Sequence, residues 1–180
     1  FVLVSGMAFT LSTHRGIRWP RLWRRLFKLA MFAAVITLVT YLVMHERFVR
    51  FGVIHFFATT ILCAAVLRPL GKWLMIPGLL IAGIALLVPY SGLYPEPGLY
   101  ITGLMSERPR SADYIPLIPW LGVFLIGMGA GQFLKKPEQA RVPAGWMKPV
   151  IWLGKHSLSF YLIHQVVVYG VLWLIAFLVL

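Results

Sequence analysis

The sequence predicts an all-α protein, a polytopic transmembrane helical bundle with five complete helices and a partial one at the N-terminal end. Of the 180 residues, 60% are hydrophobic, and the mean hydropathy is +0.84. A water-soluble core of this size cannot bury so much apolar surface. The apolar residues come in runs, and the basic residues collect in alternate connections between the runs. A bilayer accommodates the runs, and the basic connections orient them.

The predicted helices follow the runs that approach the roughly 20 residues needed to cross a bilayer. The first segment, residues 1–13, is apolar but spans only about 20 Å as a helix. We expect it to be the end of a helix that begins further upstream. All the helices belong to one predicted domain, residues 1–180. The five complete helices are predicted at residues 26–44, 52–67, 74–90, 117–134 and 150–180.

Basic residues mark one side of the predicted membrane. Connections 14–28, 68–73 and 135–155 are rich in Lys and Arg and contain one acid, Glu138, whereas basic and acidic residues balance in the opposite connections. The positive-inside rule therefore places the basic connections in the cytoplasm. We expect these cations to orient the helices and to attract anionic lipid headgroups or an anionic cytoplasmic ligand.

Several function classes lack support in the sequence. The net charge of +12 does not predict nucleic-acid binding, because no basic stripe is interleaved with stacking aromatic residues. The sequence contains no CxxC, HExxH, Walker or GxGxxG motif, and we expect no metal. Cys63 is the only cysteine and lies in an apolar helix, which favours a packing role.

Two polar residues near the predicted outer surface are candidates for function, because ionisable groups at membrane depth are costly. His55 shares a helix face with Thr59 and can act as a proton acceptor, or it can be a structural histidine bonded to the backbone. Asp113 precedes Pro116 and Pro119. Its carboxylate can orient a histidine, accept from a sugar hydroxyl, or cap the start of the following helix.

The last predicted helix carries a polar stripe. Ser157, Tyr161 and His164 are spaced so that they face the same way, and Lys155 and His156 lie near its cytoplasmic end. The stripe suits a ligand that reaches into the bundle, and hydrogen bonding between helices explains it equally well.

Three blocks of the sequence resemble a known family. The blocks are FGVIHFFATTIL (residues 51–62), DYIPLIPWLGVFLIGMGAG (113–131) and LGKHSLSFYLIHQ (153–165). They resemble the catalytic-domain family of heparan-alpha-glucosaminide N-acetyltransferase, above all its bacterial members, within the wider set of membrane acyltransferases. The resemblance implies acetyl-CoA as a cytoplasmic donor and a sugar-like acceptor outside, in a bacterial inner (plasma) membrane. The catalytic histidine of the family precedes Phe1 and is carried onto no residue here.

The resemblance and the polar clusters together assign expected roles. The expected function is acyl transfer from acyl-CoA to an extracytoplasmic acceptor, and the alternative is a non-catalytic membrane subunit of a larger complex. Expected partners are membrane lipids, a glycan or small-molecule acceptor, and a second copy or a complex partner. The expected catalytic residues are His55, Asp113 and His164. The residues expected near the CoA phosphates are Arg15, Arg18, Arg25, Lys155 and His156. The residues expected to bind the acceptor are Trp120, Ser157, Tyr161 and Gln165.

Overall fold

The computed structural model describes residues 1–87, 100–104, 110–134 and 145–156, together with residues 160, 163, 167, 168, 171, 175 and 177. This part of the chain is all-helical, apart from one isolated β-bridge. The chain forms two compact units, Phe1–Glu138 and Gln139–Leu180. The expected single domain over residues 1–180 stays a prediction.

The described helices follow the predicted order with shifted ends, but the predicted last helix, 150–180, is not continuous, because the helix there ends at Lys155 with His156 as its C-cap. Most of residues 157–180 lie outside the described residues. Helix α2 begins at Trp19, seven residues before the predicted start, because Pro20 is tolerated in a first turn and arginine is a good helix former. In the second unit, α6 spans Lys148–Lys155 and follows a short 3-10 turn, Gly145–Met147. The described helices of the first unit are α1 Val2–Ser12, α2 Trp19–Met44, α3 Val53–Leu67, α4 Met75–Leu87 and α5 Leu117–Gly131.

Two helical runs in the described residues are long and apolar enough to cross a membrane, Trp19–Arg47 and Val53–Ala85. Helices α1 and α5 are apolar but shorter. The first run covers the predicted helix 26–44, and the second covers most of the two predicted helices 52–67 and 74–90. A bundle of five spans is not confirmed. In the most apolar window of Trp19–Arg47 only 17% of the residues are buried, unlike the core helix of a soluble protein. Many large apolar side chains of α2, among them Phe27, Leu38 and Val43, are exposed and form an apolar surface.

Glycines bring α1 and α5 into close contact. A Cβ atom at Gly127 would lie 2.9 Å from the carbonyl carbon of Leu3, and one at Gly131 would lie 3.1 Å from the Cα of Met7. Higher residue numbers on α5 therefore meet higher residue numbers on α1, so the two helices run parallel. The Gly127–Gly131 pair has the spacing of a GxxxG motif, and here it does what that motif does, which is to let two backbones approach.

Helix α4 packs on another side of α5 in the opposite direction. A Cβ atom at Gly78 would lie 2.9 Å from the amide nitrogen of Ile126, and one at Gly129 would lie 3.1 Å from the amide nitrogen of Met75. Residue numbers rise on one helix as they fall on the other, so α4 and α5 are antiparallel. Helix α5 is therefore the centre of the first unit, with glycines towards both neighbours.

A 3-10 segment, Arg68–Leu74, connects α3 to α4 and also contacts the end of α1. Gly71 adopts a φ of 54°, which L residues with a side chain rarely accept, and this lets the chain change direction. Arg68 Nη2 donates to the carbonyl oxygen of Thr13 at 2.6 Å. A cation at the carboxyl end of a helix binds unpaired carbonyls and offsets the helix dipole. This bond joins two of the basic connections.

Two buried threonines in the first unit give opposite predictions. Thr10 Oγ1 donates to the carbonyl oxygen of Met128 at 2.9 Å, whereas Thr60 Oγ1 is buried without a hydrogen-bond partner in the described structure. We expect Thr60→Val to leave the free energy of unfolding unchanged or slightly raised, because an unpaired buried hydroxyl is removed. Thr10→Val should lower it by about 1 kcal/mol. Unfolding in detergent would compare the two variants, and equal losses would contradict the assignment.

Candidate functional site

Three segments meet at the start of α3. Phe51 and Tyr114 form a parallel bridge, and the amide of Ile115 donates to the carbonyl oxygen of Phe51 at 3.2 Å. The amide of Leu117 donates to the carbonyl oxygen of Ile101 at 2.9 Å. These backbone bonds hold residues 51, 101 and 114–117 together, and they place the first and second polar blocks side by side.

Asp113 caps α3. Its Oδ2 accepts from the backbone N–H of Val53 at 2.9 Å. The carboxylate therefore lies at the positive end of the helix dipole, where it satisfies an amide that has no partner within the helix. The expectation of a capping carboxylate has the right chemistry, but the helix is α3 and not the following helix α5. That contact joins residues 60 positions apart in the sequence.

His55 lies one turn into α3 and uses both ring nitrogens. The N–H of Gly52 donates to Nδ1 at 3.3 Å, and Nε2 lies 3.1 Å from Oγ1 of Thr37 on α2. Because Nδ1 accepts, a neutral ring carries its proton on Nε2. The Thr37 hydroxyl donates onward to the carbonyl oxygen of Val49 at 2.8 Å, so it accepts from His55. These bonds give His55 a structural role, and its acid–base role stays a prediction.

A cleft of about 810 Å³ opens beside His55, between α2 and α3. Its mouth, defined as the end nearest the start of α3, is lined by Arg50, His55 and Tyr100 together with Phe51 and Ile101. The rest of the lining, its wall, lies along α2 and α3 and consists of small apolar side chains and Thr59. The apolar residues of the wall are Ala30, Ala33, Ala34 and Ala58. A volume of this size is in the range that binds a small molecule.

The sequence interpretation missed two residues of this cleft. Arg50 belongs to one of the connections whose basic and acidic residues balance, and it directly precedes the FGVIH block. Tyr100 follows a Gly-Leu pair in a stretch without a recognisable motif. The position of Arg50 next to the block was the available signal, whereas nothing in the sequence pointed to Tyr100.

The other expected site residues are distributed over both units. Trp120 is exposed on the first turns of α5 and does not line the cleft. Arg15 lies between α1 and α2, Arg18 immediately precedes α2, and Arg25 is exposed on α2. The remaining acceptor residues and the third catalytic candidate lie outside the described residues, namely Ser157, Tyr161, Gln165 and His164.

In the second unit, Lys155 ends α6 and His156 follows it. The Nδ1 of His156 lies 2.9 Å from the carbonyl oxygen of Trp152, and the two rings are 4.6 Å apart between centroids. His156 thus caps the end of its own helix. Among the described residues, no group of three or more His, Cys, Asp and Glu side chains is arranged to hold a metal ion.

These features define a class of protein, an apolar helical protein with a cleft between two of its helices. A family model described as heparan-alpha-glucosaminide N-acetyltransferase, catalytic, matches residues 1–166, and the chain belongs to this family. The resemblance of the three sequence blocks is thereby confirmed. No curated protein and no solved structure matches the chain significantly.

Proposed function

We propose that the protein is an integral-membrane acyltransferase, in a bacterial inner membrane, that moves an acetyl group from cytoplasmic acetyl-CoA to an extracytoplasmic, sugar-like acceptor. Membership of an acetyltransferase family supports the reaction class. The observation that carries the proposal is the cleft beside His55, because it offers polar groups at its mouth in a chain of that family. The acceptor binds there.

The helix directions support the proposed orientation. The charge pattern requires α1 and α5 to run from the outer to the inner side, and α4 to run back. The parallel pair α1–α5 and the antiparallel pair α4–α5 meet this requirement. The start of α3, with its cleft, then lies towards the outside, while Arg68 and the end of α1 lie towards the cytoplasm.

Acetyl-CoA is the proposed donor substrate, and its phosphates fit the cytoplasmic end. Arg15, Arg18 and Arg25 lie in or near the connection that Arg68 binds through the Thr13 carbonyl. Guanidinium groups bind phosphates through paired, charge-assisted hydrogen bonds. Lys155 and His156, which belong to the second unit, are proposed separately as residues that bind the CoA phosphates.

The transfer step needs one proton acceptor. The amine or hydroxyl of the acceptor attacks the thioester carbonyl, the bond from carbon to the new N or O forms, and the C–S bond breaks. The proton of the attacking group passes to a base, and the CoA thiolate leaves and is protonated. We propose His55 and His164 as the residues that accept this proton or bind the acceptor, with Asp113 orienting them. Both ring nitrogens of His55 have hydrogen-bond partners in the described structure, which favours His164 as the base. His55 and Asp113 hold the start of α3 in place.

The assignment of the base is testable with protein reconstituted in liposomes, with labelled acetyl-CoA inside and an amino sugar outside. We expect His164→Ala to lower kcat by about 100-fold or more, the usual contribution of a general base. His45→Ala, a change of an exposed histidine outside the cleft, should leave kcat unchanged. Unchanged turnover in the His164 variant would remove this residue from the site.

The alternative function is a non-catalytic subunit of a larger membrane complex. The exposed apolar face of α2 favours it, because such a surface can be covered by another protein as well as by lipid. A subunit would co-purify with its partner in fixed stoichiometry, and acetyl-CoA would not raise its melting temperature. Acetyl transfer by the purified protein alone would exclude this reading.

A further inference from the structure

We propose that the cleft between α2 and α3 binds an anionic lipid, with a phosphate-bearing head at Arg50 and a hydrocarbon chain along the alanine wall. Binding of the lipid is independent of catalysis. That this lipid carries the acceptor group rests on the proposed function. The inference draws on the charge at the mouth of the cleft, the small apolar side chains of its wall, and one buried hydroxyl group.

Arg50 supplies the charge. Its guanidinium carbon lies 4.8 Å from the ring centroid of Phe48 and 5.7 Å from that of Tyr100. Cation–π attraction to the two rings favours this position of the guanidinium, and guanidinium N–H groups bind anionic oxygens well. In the described part of the chain, no carboxylate forms an ion pair with Arg50. A phosphate at the mouth would match this cation.

The wall of the cleft is better suited to the hydrocarbon chain of a lipid than to a second polar group. Ala30 precedes Thr37, the partner of His55, by seven residues, so the wall extends about 10 Å along α2 from the level of His55. Ala30 and Ala34 are exposed, so the cleft is open along the side of α2. The only polar side chain beside the alanines, Thr59, donates to the carbonyl oxygen of His55 at 3.1 Å. In a bilayer, a groove of this kind faces lipid and admits a chain sideways.

Tyr100 provides an independent indication of a ligand. Its side chain lines the cleft, and its hydroxyl is buried without a hydrogen-bond partner in the described residues. Buried polar atoms are nearly always paired, and an exception in a native structure calls for an explanation. In this proposal a ligand oxygen bound at Arg50 becomes the partner once the hydroxyl turns towards the cleft. The guanidinium carbon of Arg50 lies 5.7 Å from the centroid of the Tyr100 ring.

The test measures lipid retention by native mass spectrometry, using the full protein in phosphatidylcholine nanodiscs that contain a minor fraction of phosphatidylglycerol. We expect the wild type to retain phosphatidylglycerol selectively. Arg50→Gln should reduce this retention about tenfold, in line with the loss of a charge-assisted contact. Arg47→Gln removes an exposed arginine from the same connection and should have no effect.

The wall of the cleft is tested separately. Ala34→Leu should reduce the retention of phosphatidylglycerol, whereas Val35→Leu, at the neighbouring exposed position, should not.

Tyr100→Phe separates a ligand role from a structural one. The variant should unfold at the same temperature as the wild type without anionic lipid, because it loses only an unpaired hydroxyl, yet it should retain less phosphatidylglycerol. Equal retention of both lipids by the wild type would overturn the proposal. Equal losses of phosphatidylglycerol in Arg50→Gln and Arg47→Gln would also overturn it. The same holds if inorganic phosphate alone displaces the lipid completely, or if a dimer of this chain covers the cleft and excludes lipid. Selective retention without acetyl transfer would contradict the proposed function and leave lipid binding intact.

Discussion

Replacing Gly127 by alanine is expected to destabilise the protein by about 3 kcal/mol, the largest effect of a single methyl group that the structure predicts. The added Cβ would lie 2.9 Å from the carbonyl carbon of Leu3 and 3.1 Å from its Cα. Both atoms belong to the backbone of α1, so no side chain can rotate away. The methyl group fits only if α1 and α5 separate, and their separation weakens the helix contact at the centre of the first unit.

Gly83→Ala is the matched control for that experiment. Gly83 also lies inside an apolar helix, but a Cβ atom there meets nothing within 4 Å. Alanine has the higher helix propensity, so this variant should be as stable as the wild type or more stable by about 0.5–1 kcal/mol. Thermal unfolding in detergent measures both variants. If the Gly127 variant melts at the wild-type temperature, α1 and α5 do not pack as the structure has them.

Replacing Asp113 by alanine is expected to cost about 2 kcal/mol of unfolding free energy and to abolish most acetyl transfer. The variant leaves the N–H of Val53 without its acceptor and removes a negative charge from the positive end of α3. The same carboxylate joins the 111–118 segment to the helix that carries His55, so its loss also loosens the start of α3. The turnover rate should therefore fall even under conditions in which the variant is still fully folded.

Two variants define what Asp113 contributes. Asp113→Asn keeps an oxygen that can accept from Val53 and should recover much of the stability, because only the charge is lost. Glu46→Ala removes an exposed carboxylate from the short turn after α2 and should change neither quantity. The melting temperature measures the effect of each variant on stability, and the turnover rate in liposomes measures its effect on acetyl transfer. Equal stability of Asp113→Ala and wild type would contradict a capping role.

The sequence predicted the local elements well and the contacts between them poorly. A run of apolar residues is a property of neighbouring positions, so the helices could be placed before the structure was known. The early start of α2 was missed for the same reason, since Trp19–Arg25 is too basic to count as apolar although it is helical. The GxxxG spacing of Gly127 and Gly131 is typical of close helix packing, but it does not identify α1 as the partner.

The sequence by itself determined the all-helical class, the alternation of basic connections and the family. Each of these is written in local composition or in short motifs. Only the tertiary structure decided that Asp113 caps α3, that both nitrogens of His55 are engaged, and that Arg50 lies at the mouth of a cleft. These outcomes depend on contacts between segments far apart in the sequence, such as Val53 and Asp113, which are 60 positions apart. Such contacts arise when whole helices pack, and no local pattern of residue types encodes them.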